Sequence, residues 1–524
     1  MTERRLSPAD AMWLYSEWDK NPQTVSSLMW MDREVDPDVV RDIIQTRMVE
    51  KYPTFHQRIR KSRNPLFMPH WENDPVFTMD HHFEVVRLPE PGDKRTLEHV
   101  VSEQRSQLLD HERPLWKIYL IQGYLQDGTP TSAMHSRIQH SIADGWALVR
   151  LVLSLADEDS PAGAPKVVDK KRKRKRDVAR TATAPAVEAA ATIKNTVGGV
   201  AGAVTSTARG AASTLASVIK HPTSLPATLA SGQDALEETL SVSLDSQQFL
   251  EFGSQVPSEV ARQWGKVTDT AGVLVQGTSD AVDFLLAPRP GKTILHGAVS
   301  GTKKVVWIEP IPLEPIKAAG KAYGATINDV LLGCLTNALR RYLLEKDALT
   351  VDELFTAVPV SLRKPNAPLP RTLGNRFGLI SVLLPVGIED PVEQVLAIKH
   401  EMDEIKQTQM PIVSFGLMSV SALATPEVER LIHKINQDHS IGVTTNVPGP
   451  RRPLHLAGGE VLGAWGMGGL SGNMNLSFGI FSLAGQLNFS VHSDEAITPD
   501  PERILDLFLE SVRGIQERAE VAAD

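Results

Sequence analysis

Apolar side chains recur along this chain with two spacings, every second residue over short runs and every third or fourth over longer ones, and each spacing predicts an element. Leu28 to Met31 and Val85 to Leu88 read as short strands, Leu97 to Leu109 as a helix, and Trp116 to Tyr124 as a strand ended by Gln126-Asp127-Gly128. Ser132 to Ile138 is a weaker strand pattern, followed by Gln139 to Gly145 and an apolar-periodic helix beginning at Trp146. Further on, Lys304 to Ile308 predicts a strand, Leu313 to Tyr323 a helix, and Ile327 to Leu344 a longer helix that starts at Asn328-Asp329. Strands at Leu354 to Val360, Gly378 to Leu384, Ser440 to Thr445 and Ser477 to Val491 follow, with helices at Val392 to Thr408 and Pro501 to Arg518. Strand and helix patterns alternate, which predicts an α/β protein of two mixed halves.

The alternation stops between the halves. Lys166 to Arg180 holds nine basic residues and two acidic ones, and from Thr181 to Thr228 the chain is Ala, Thr, Ser, Gly and Val with almost no aromatics. Such a stretch has too few large apolar groups to build a core. The expected division is therefore a half at 1–159, an inserted linker at 160–298 and a second half at 299–524. Within the linker, Val197, Val200, Val204 and then Leu215, Val218, Ile219 have a partly helical spacing, so the linker is expected to be helical or partly disordered. Val461 to Val491 carries no charge and is long enough for a membrane span. Its glycines and asparagines, with Leu476, Phe478, Ile480 and Leu487, Phe489, Val491 in alternation, predict buried hairpin strands instead.

Composition narrows the class. The 524 residues carry 55 basic and 63 acidic side chains, a net charge of −8, with 42% hydrophobic residues, as in ordinary globular proteins. A single cysteine, Cys334, excludes an internal disulfide and a thiolate zinc cluster and points to a reducing compartment. Met1 to Leu14 lacks a secretory pattern, so a cytoplasmic location is expected. The acidic whole and the absence of a nucleic-acid-binding motif argue against nucleic acid as a partner, and no metal site is expected.

His140 is the first candidate for chemistry. It ends a strand pattern, precedes Asp144 by four positions and is followed by Gly145, which permits backbone geometry that a side chain hinders. An imidazole there can take a proton near neutrality; a packing histidine is the plain alternative. A Gly-x-Ser-x-Gly elbow after a strand is missing and Cys334 lies in an apolar helical pattern, which disfavours hydrolysis through a covalent enzyme intermediate; a phosphate loop and a dinucleotide fingerprint are missing as well. Asn446 to Pro450 reads as a turn.

Taken together, Leu6 to Met12 with Glu17, Pro114-Leu115-Trp116, His140 to Gly145, Asn328-Asp329, Val358 to Arg363, Gly374-Asn375-Arg376 and Asn446 to Pro450 make the chain resemble the bacterial wax ester synthase/diacylglycerol O-acyltransferase family over nearly its whole length. It departs at Gln139, where the family's usual HHxxxDG motif has histidine, and in its enlarged linker. The resemblance implies two chloramphenicol acetyltransferase-like halves with a central tunnel. It also implies acyl-CoA as substrate and no cofactor, a fatty alcohol or diacylglycerol as acceptor, and His140 as general base. By the same resemblance Asn328 is the candidate oxyanion donor or substrate positioner, with a helix cap as its other reading. Asp144 is expected to face away from substrate and pair with Arg363, or secondarily Arg376, while Gln139 and Gly145 shape the loop. Glu17 is expected at the substrate entrance or as a solvated carboxylate, and Pro114 to Trp116 and the Asn446 turn as structural. The basic run suggests contact with an anionic membrane or lipid-droplet surface, peripheral at the inner membrane, and a homodimer is compatible with the reading. Two competing functions keep the fold: transfer to a smaller alcohol or amine, and non-catalytic binding to a lipid surface.

Overall fold

The computed structural model describes residues 4–61, 68–158, 291–363, 368–408, 410–421 and 440–523. The basic run at Lys166 to Arg180 and the small-residue stretch after it lie outside the described residues. Met1–Ser160 and Ala287–Asp524 make one compact unit, so the two predicted halves belong together.

In chain order the elements that matter are α1 (Pro8–Tyr15), β1 (Thr24–Met31), α2 (Pro37–Ile44), β2 (Phe83–Arg87), α3 (Lys94–Ser106), β3 (Trp116–Gln126), β4 (Thr129–Gln139), α4 (Gly145–Leu153), β5 (Asp157–Glu158), β6 (Lys303–Trp307), β7 (Ile311–Pro312), α5 (Leu313–Ala322), α6 (Ile327–Glu345), β8 (Leu354–Ser361), β9 (Phe377–Leu384), α7 (Pro391–Ile405), α8 (Met410–Ser421), β10 (Gly442–Pro448), β11 (Leu454–Leu456), β12 (Gly459–Met467), β13 (Leu476–Leu483), β14 (Gln486–Asp494) and α9 (Pro501–Ala523). They build two seven-stranded sheets. The first runs β2-β3-β4-β1-β12-β11-β5; the second runs β7-β14-β13-β10-β8-β9, with β6 on β14. Both are mixed: β2 and β3 are parallel, as are β8 with β10 and β10 with β13, while the other pairings are antiparallel.

Each half has its own core. Met134, Ile138, Leu148 and Leu151 belong to the first, and Leu331, Leu335, Ile380, Phe478 and Phe508 to the second. Leu295, inside the predicted linker, is 1% exposed in the second core, so that half begins before residue 299. The halves also exchange chain. Strand β12, from the second half of the sequence, pairs antiparallel with β1, Trp465 opposite Leu28. Gly463 permits this, because a Cβ there would come within 2.1 Å of the Trp30 ring.

The chargeless stretch is therefore three strands, β12, β13 and β14, and no helix among the described residues is long and apolar enough to cross a membrane. The predicted turn at Asn446 to Pro450 is corrected in its first part. Asn446, Val447 and Pro448 continue β10, in parallel register with Ile480, Phe481 and Ser482 of β13. Helix α1 was not legible in the apolar spacing, because its residues from Ala9 to Leu14 are all buried and Asp10 sits among them. Ser7 caps it by accepting the Asp10 N–H, and Pro8 begins it where a missing N–H costs nothing.

Candidate active site

Strand β4 ends at Gln139 and α4 starts at Gly145, so the loop between is short and fixed at both ends. At its start, the His140 N–H donates to Gln23 O at 2.8 Å and the Ile142 N–H to Gln139 O at 3.0 Å. At its end, Asp144 Oδ1 accepts the Ala147 N–H at 2.8 Å, which caps α4. Gln139 is fully buried and braces the loop from below: its Oε1 accepts the Ser141 N–H at 2.5 Å and its Nε2 donates to Trp13 O at 3.2 Å. Histidine also offers one ring acceptor and one ring donor.

The His140 ring stacks on Trp13, centroids 4.0 Å apart at 17°, with Phe377 5.5 Å away. Burial against these rings pushes its pKa down to about 4, opposed by the Asp144 charge and the hydrogen bond to Asn375, so the ring is neutral at pH 7. Nδ1 lies 2.9 Å from Asn375 Oδ1. The orientation of that amide is determined by its other bonds, since Nδ2 donates to Asp10 Oδ1 at 2.9 Å and to His140 O at 2.7 Å. Oδ1 is thus an acceptor, Nδ1 carries the imidazole proton, and Nε2 keeps its lone pair. A neutral imidazole with an unprotonated Nε2 can accept a proton from a hydroxyl.

The second half of the chain ties the loop down. Arg363 Nε donates to Asp144 Oδ2 at 3.1 Å, and its Nη2 donates to Gly374 O at 2.6 Å. The Arg376 N–H donates to the same Asp144 oxygen at 2.9 Å, so Arg376 contributes its backbone while Arg363 contributes its charge. Gly374, at φ +80, bridges to Ala143 and donates its N–H to Ile142 O at 3.0 Å. Both Asp144 oxygens are taken up by these partners, which makes it a cap and an anchor.

The other candidates have partners of their own. Asn328 stands in the first turn of α6, where Thr326 and Asp329 form the capping box, so the cap reading is corrected. Its Oδ1 accepts from Asn446 Nδ2 at 2.9 Å. Glu17, rather than standing in solvent, has a side chain only 3% exposed; it accepts the Gln23 N–H at 2.9 Å and lies 2.7 Å from His111 Nε2. It thereby supports the residue whose carbonyl holds the His140 N–H. Trp116 is core, its Nε1 donating to Phe55 O at 2.8 Å and its ring stacked on His82. Gly145 has an ordinary helical backbone, and a Cβ on it would meet nothing within 4 Å, so the expected need for glycine geometry is corrected. Cys334 is buried and its thiol is pushed up to about 12 by desolvation, which leaves it inert. Among the described residues no three His, Cys, Asp or Glu side chains gather to hold a metal. The residues that touch His140, namely Trp13, Asn375 and Phe377, with Asp10 behind Asn375, had no assigned role in the sequence reading; Asp10 and Asn375 stood in its motifs without one.

Residues 6–243 match the model of the wax ester synthase/diacylglycerol acyltransferase catalytic domain, and residues 373–516 that of the WS/DGAT C-terminal domain. The chain is 26% identical over 527 residues to a Mycobacterium tuberculosis protein named as a diacylglycerol O-acyltransferase, covering 98% of this chain and 99% of that one. It is 23% identical over 522 residues to a Mycobacterium bovis protein of like name, covering 98% of each. Among solved structures it is similar to the wax ester synthase/diacylglycerol acyltransferase of Marinobacter aquaeolei, with a TM-score of 0.61, 22% identity, and 98% of this chain and 100% of that one covered. It is also similar to the first condensation domain of the calcium-dependent antibiotic synthetase, with a TM-score of 0.53, 14% identity, and 100% and 97% covered. These structural likenesses bear on the fold, two mixed-sheet halves of the chloramphenicol acetyltransferase kind.

Proposed function

Because the chain belongs to the wax ester synthase/diacylglycerol acyltransferase family and is an O-acyltransferase, we propose that it moves a long-chain acyl group from acyl-CoA to a fatty alcohol or diacylglycerol with His140 as general base. The observation that carries this reading is the neutral imidazole whose Nδ1–H is held by Asn375, leaving Nε2 to receive a proton. Nε2 takes the hydroxyl proton as the acceptor oxygen attacks the thioester carbonyl. The tetrahedral intermediate expels the CoA thiolate, and the imidazolium returns the proton to that sulfur. The products are the ester and CoA thiol, and no acyl-enzyme forms.

The oxyanion needs a donor, and such stabilisation is usually the largest single term in acyl transfer. Asn328 is retained as that donor or as a positioner, because its bond to Asn446 uses Oδ1 and leaves Nδ2. The test is palmitoyl-CoA offered with hexadecanol and with diacylglycerol side by side, following CoA release. The wild type is expected to release CoA with at least one acceptor, and His140→Ala to lose about a hundredfold to ten-thousandfold in turnover while still folded. Near-normal turnover in the folded variant overturns the mechanism, and transfer only to short alcohols or amines overturns the acceptor class.

A further inference from the structure

The Asp10 carboxylate is buried and is joined through one amide to the base. Its Oδ1 accepts two bonds from the same residue, the Asn375 backbone N–H at 2.8 Å and Nδ2–H at 2.9 Å. Its Oδ2 accepts from Ser7 Oγ at 2.6 Å. Asp10 is 6% exposed, and among the described residues it makes no ion pair within 4 Å. Burial raises the Asp10 carboxyl, and these three donors, together with the nearby Arg4 charge, oppose that and favour the ionised form. If the only need were to fasten α1 to the segment around Asn375, a neutral side chain making the same bonds would do it without the cost of burying a charge.

Proton transfer supplies a use for the charge. While the acceptor proton sits on Nε2, His140 is an imidazolium packed against Trp13 and Phe377 and only 6% exposed, so little water solvates it. A fixed anion joined to Nδ1–H through the Asn375 amide stabilises that cation without any rearrangement. We propose that Asp10, Asn375 and His140 form a relay in which Asn375 is a positioning residue that holds the Nδ1–H tautomer, and Asp10 supplies the charge that stabilises the imidazolium during transfer. This rests on His140 being the base, as set out above.

The test uses the full chain as wild type, His140→Ala, Asp10→Asn and Asn375→Ala, with palmitoyl-CoA and the acceptor that the wild type prefers. Asp10→Asn is isosteric: its amide oxygen can accept both Asn375 donors while its Nδ2 donates to Ser7 Oγ, so the bonds persist and the charge goes. The relay predicts that Asp10→Asn lowers kcat about tenfold with KM within about twofold and the melting temperature little changed. The acid limb of its kcat/KM profile should move to lower pH, because the imidazolium is less stable. Asn375→Ala should lose more, and the Nδ1–H signal of His140 in 15N-histidine NMR, identified by its loss in His140→Ala, should disappear. Should Asn375→Ala fail to fold, Asp10→Asn decides the matter alone. Wild-type kcat and an unmoved acid limb in Asp10→Asn overturn the relay while leaving His140 as base. A wild type that transfers no acyl group overturns the functional reading and the relay with it.

Discussion

Asp144 does three jobs with two oxygens, and the consequences of removing it separate accordingly. Oδ1 caps α4, and Oδ2 holds the Arg363 guanidinium and the Arg376 N–H. The pair is nearly dry, with side chains 2% and 11% exposed, so truncation leaves Arg363 without its counter-charge. Asp144→Ala is expected to cost about 3 to 5 kcal/mol for the uncompensated charge and about 1 kcal/mol more for the cap. Asp144→Asn keeps a good cap residue and the side-chain volume but loses the charge and the second acceptor, turning an NH2 toward the Arg363 Nε–H and the Arg376 N–H, so chemical denaturation should order the stabilities wild type, Asp144→Asn, Asp144→Ala. An Asp144→Ala protein as stable as wild type yet inactive would move this residue into the chemistry. At this scale His140, Asp144 and Arg363 were legible because they stand in motifs with local signatures. The partners Asn375 and Asp10 also stand in motifs, but nothing local gives either a role. Asn375 lies 235 positions from His140 and 365 from Asp10, and it is the fold that joins them.

Strands with alternating apolar residues and helices with one apolar face were legible, and their ends moved by a few residues. An element buried all along was not, since burial removes the periodicity: α1 has every residue from Ala9 to Leu14 buried, Asp10 included. The reading of Asn446 to Pro448 as turn failed because pairing with β13 outweighs local turn chemistry. Gly145 shows the same limit from the other side. Its sequence suggested a backbone need, whereas in the structure it is the first residue of α4 with free space where a Cβ would go. Gly145→Ala is therefore expected to leave the melting temperature unchanged or to raise stability by up to about 1 kcal/mol. Thermal melting checks this, and a clear fall in melting temperature would restore the backbone explanation. A loss of turnover in an equally stable variant would mean that substrate occupies the space over the helix end.

The whole molecule stores a pH dependence in its buried histidines. His82 and His140 are held at about 4, and His135 and His492 well below 6.5, in each case because burial disfavours the charged ring. Below about pH 6.5 the unfolded chain binds four protons on these rings that the folded chain refuses. Their contribution to stability is therefore full above the unfolded value and is lost as pH falls toward the folded values. Glu98 works in the opposite sense. Desolvation raises it to about 7, so the folded chain holds a proton there that an unfolded glutamate releases, and the raised carboxyls of Asp10 and Glu401 act the same way. Four protons against one to three leave the unfolded state the larger binder. The unfolding free energy is thus expected to fall by about 1 to 4 kcal/mol per unit between pH 6 and 5. Urea unfolding at pH 5, 6, 7 and 8 measures it, and a stability that is flat or rising toward pH 5 would show that water reaches these histidines. The same burial that makes the fold acid-sensitive keeps His140 neutral at pH 7, so the general base and the acid weakness of the fold have one cause.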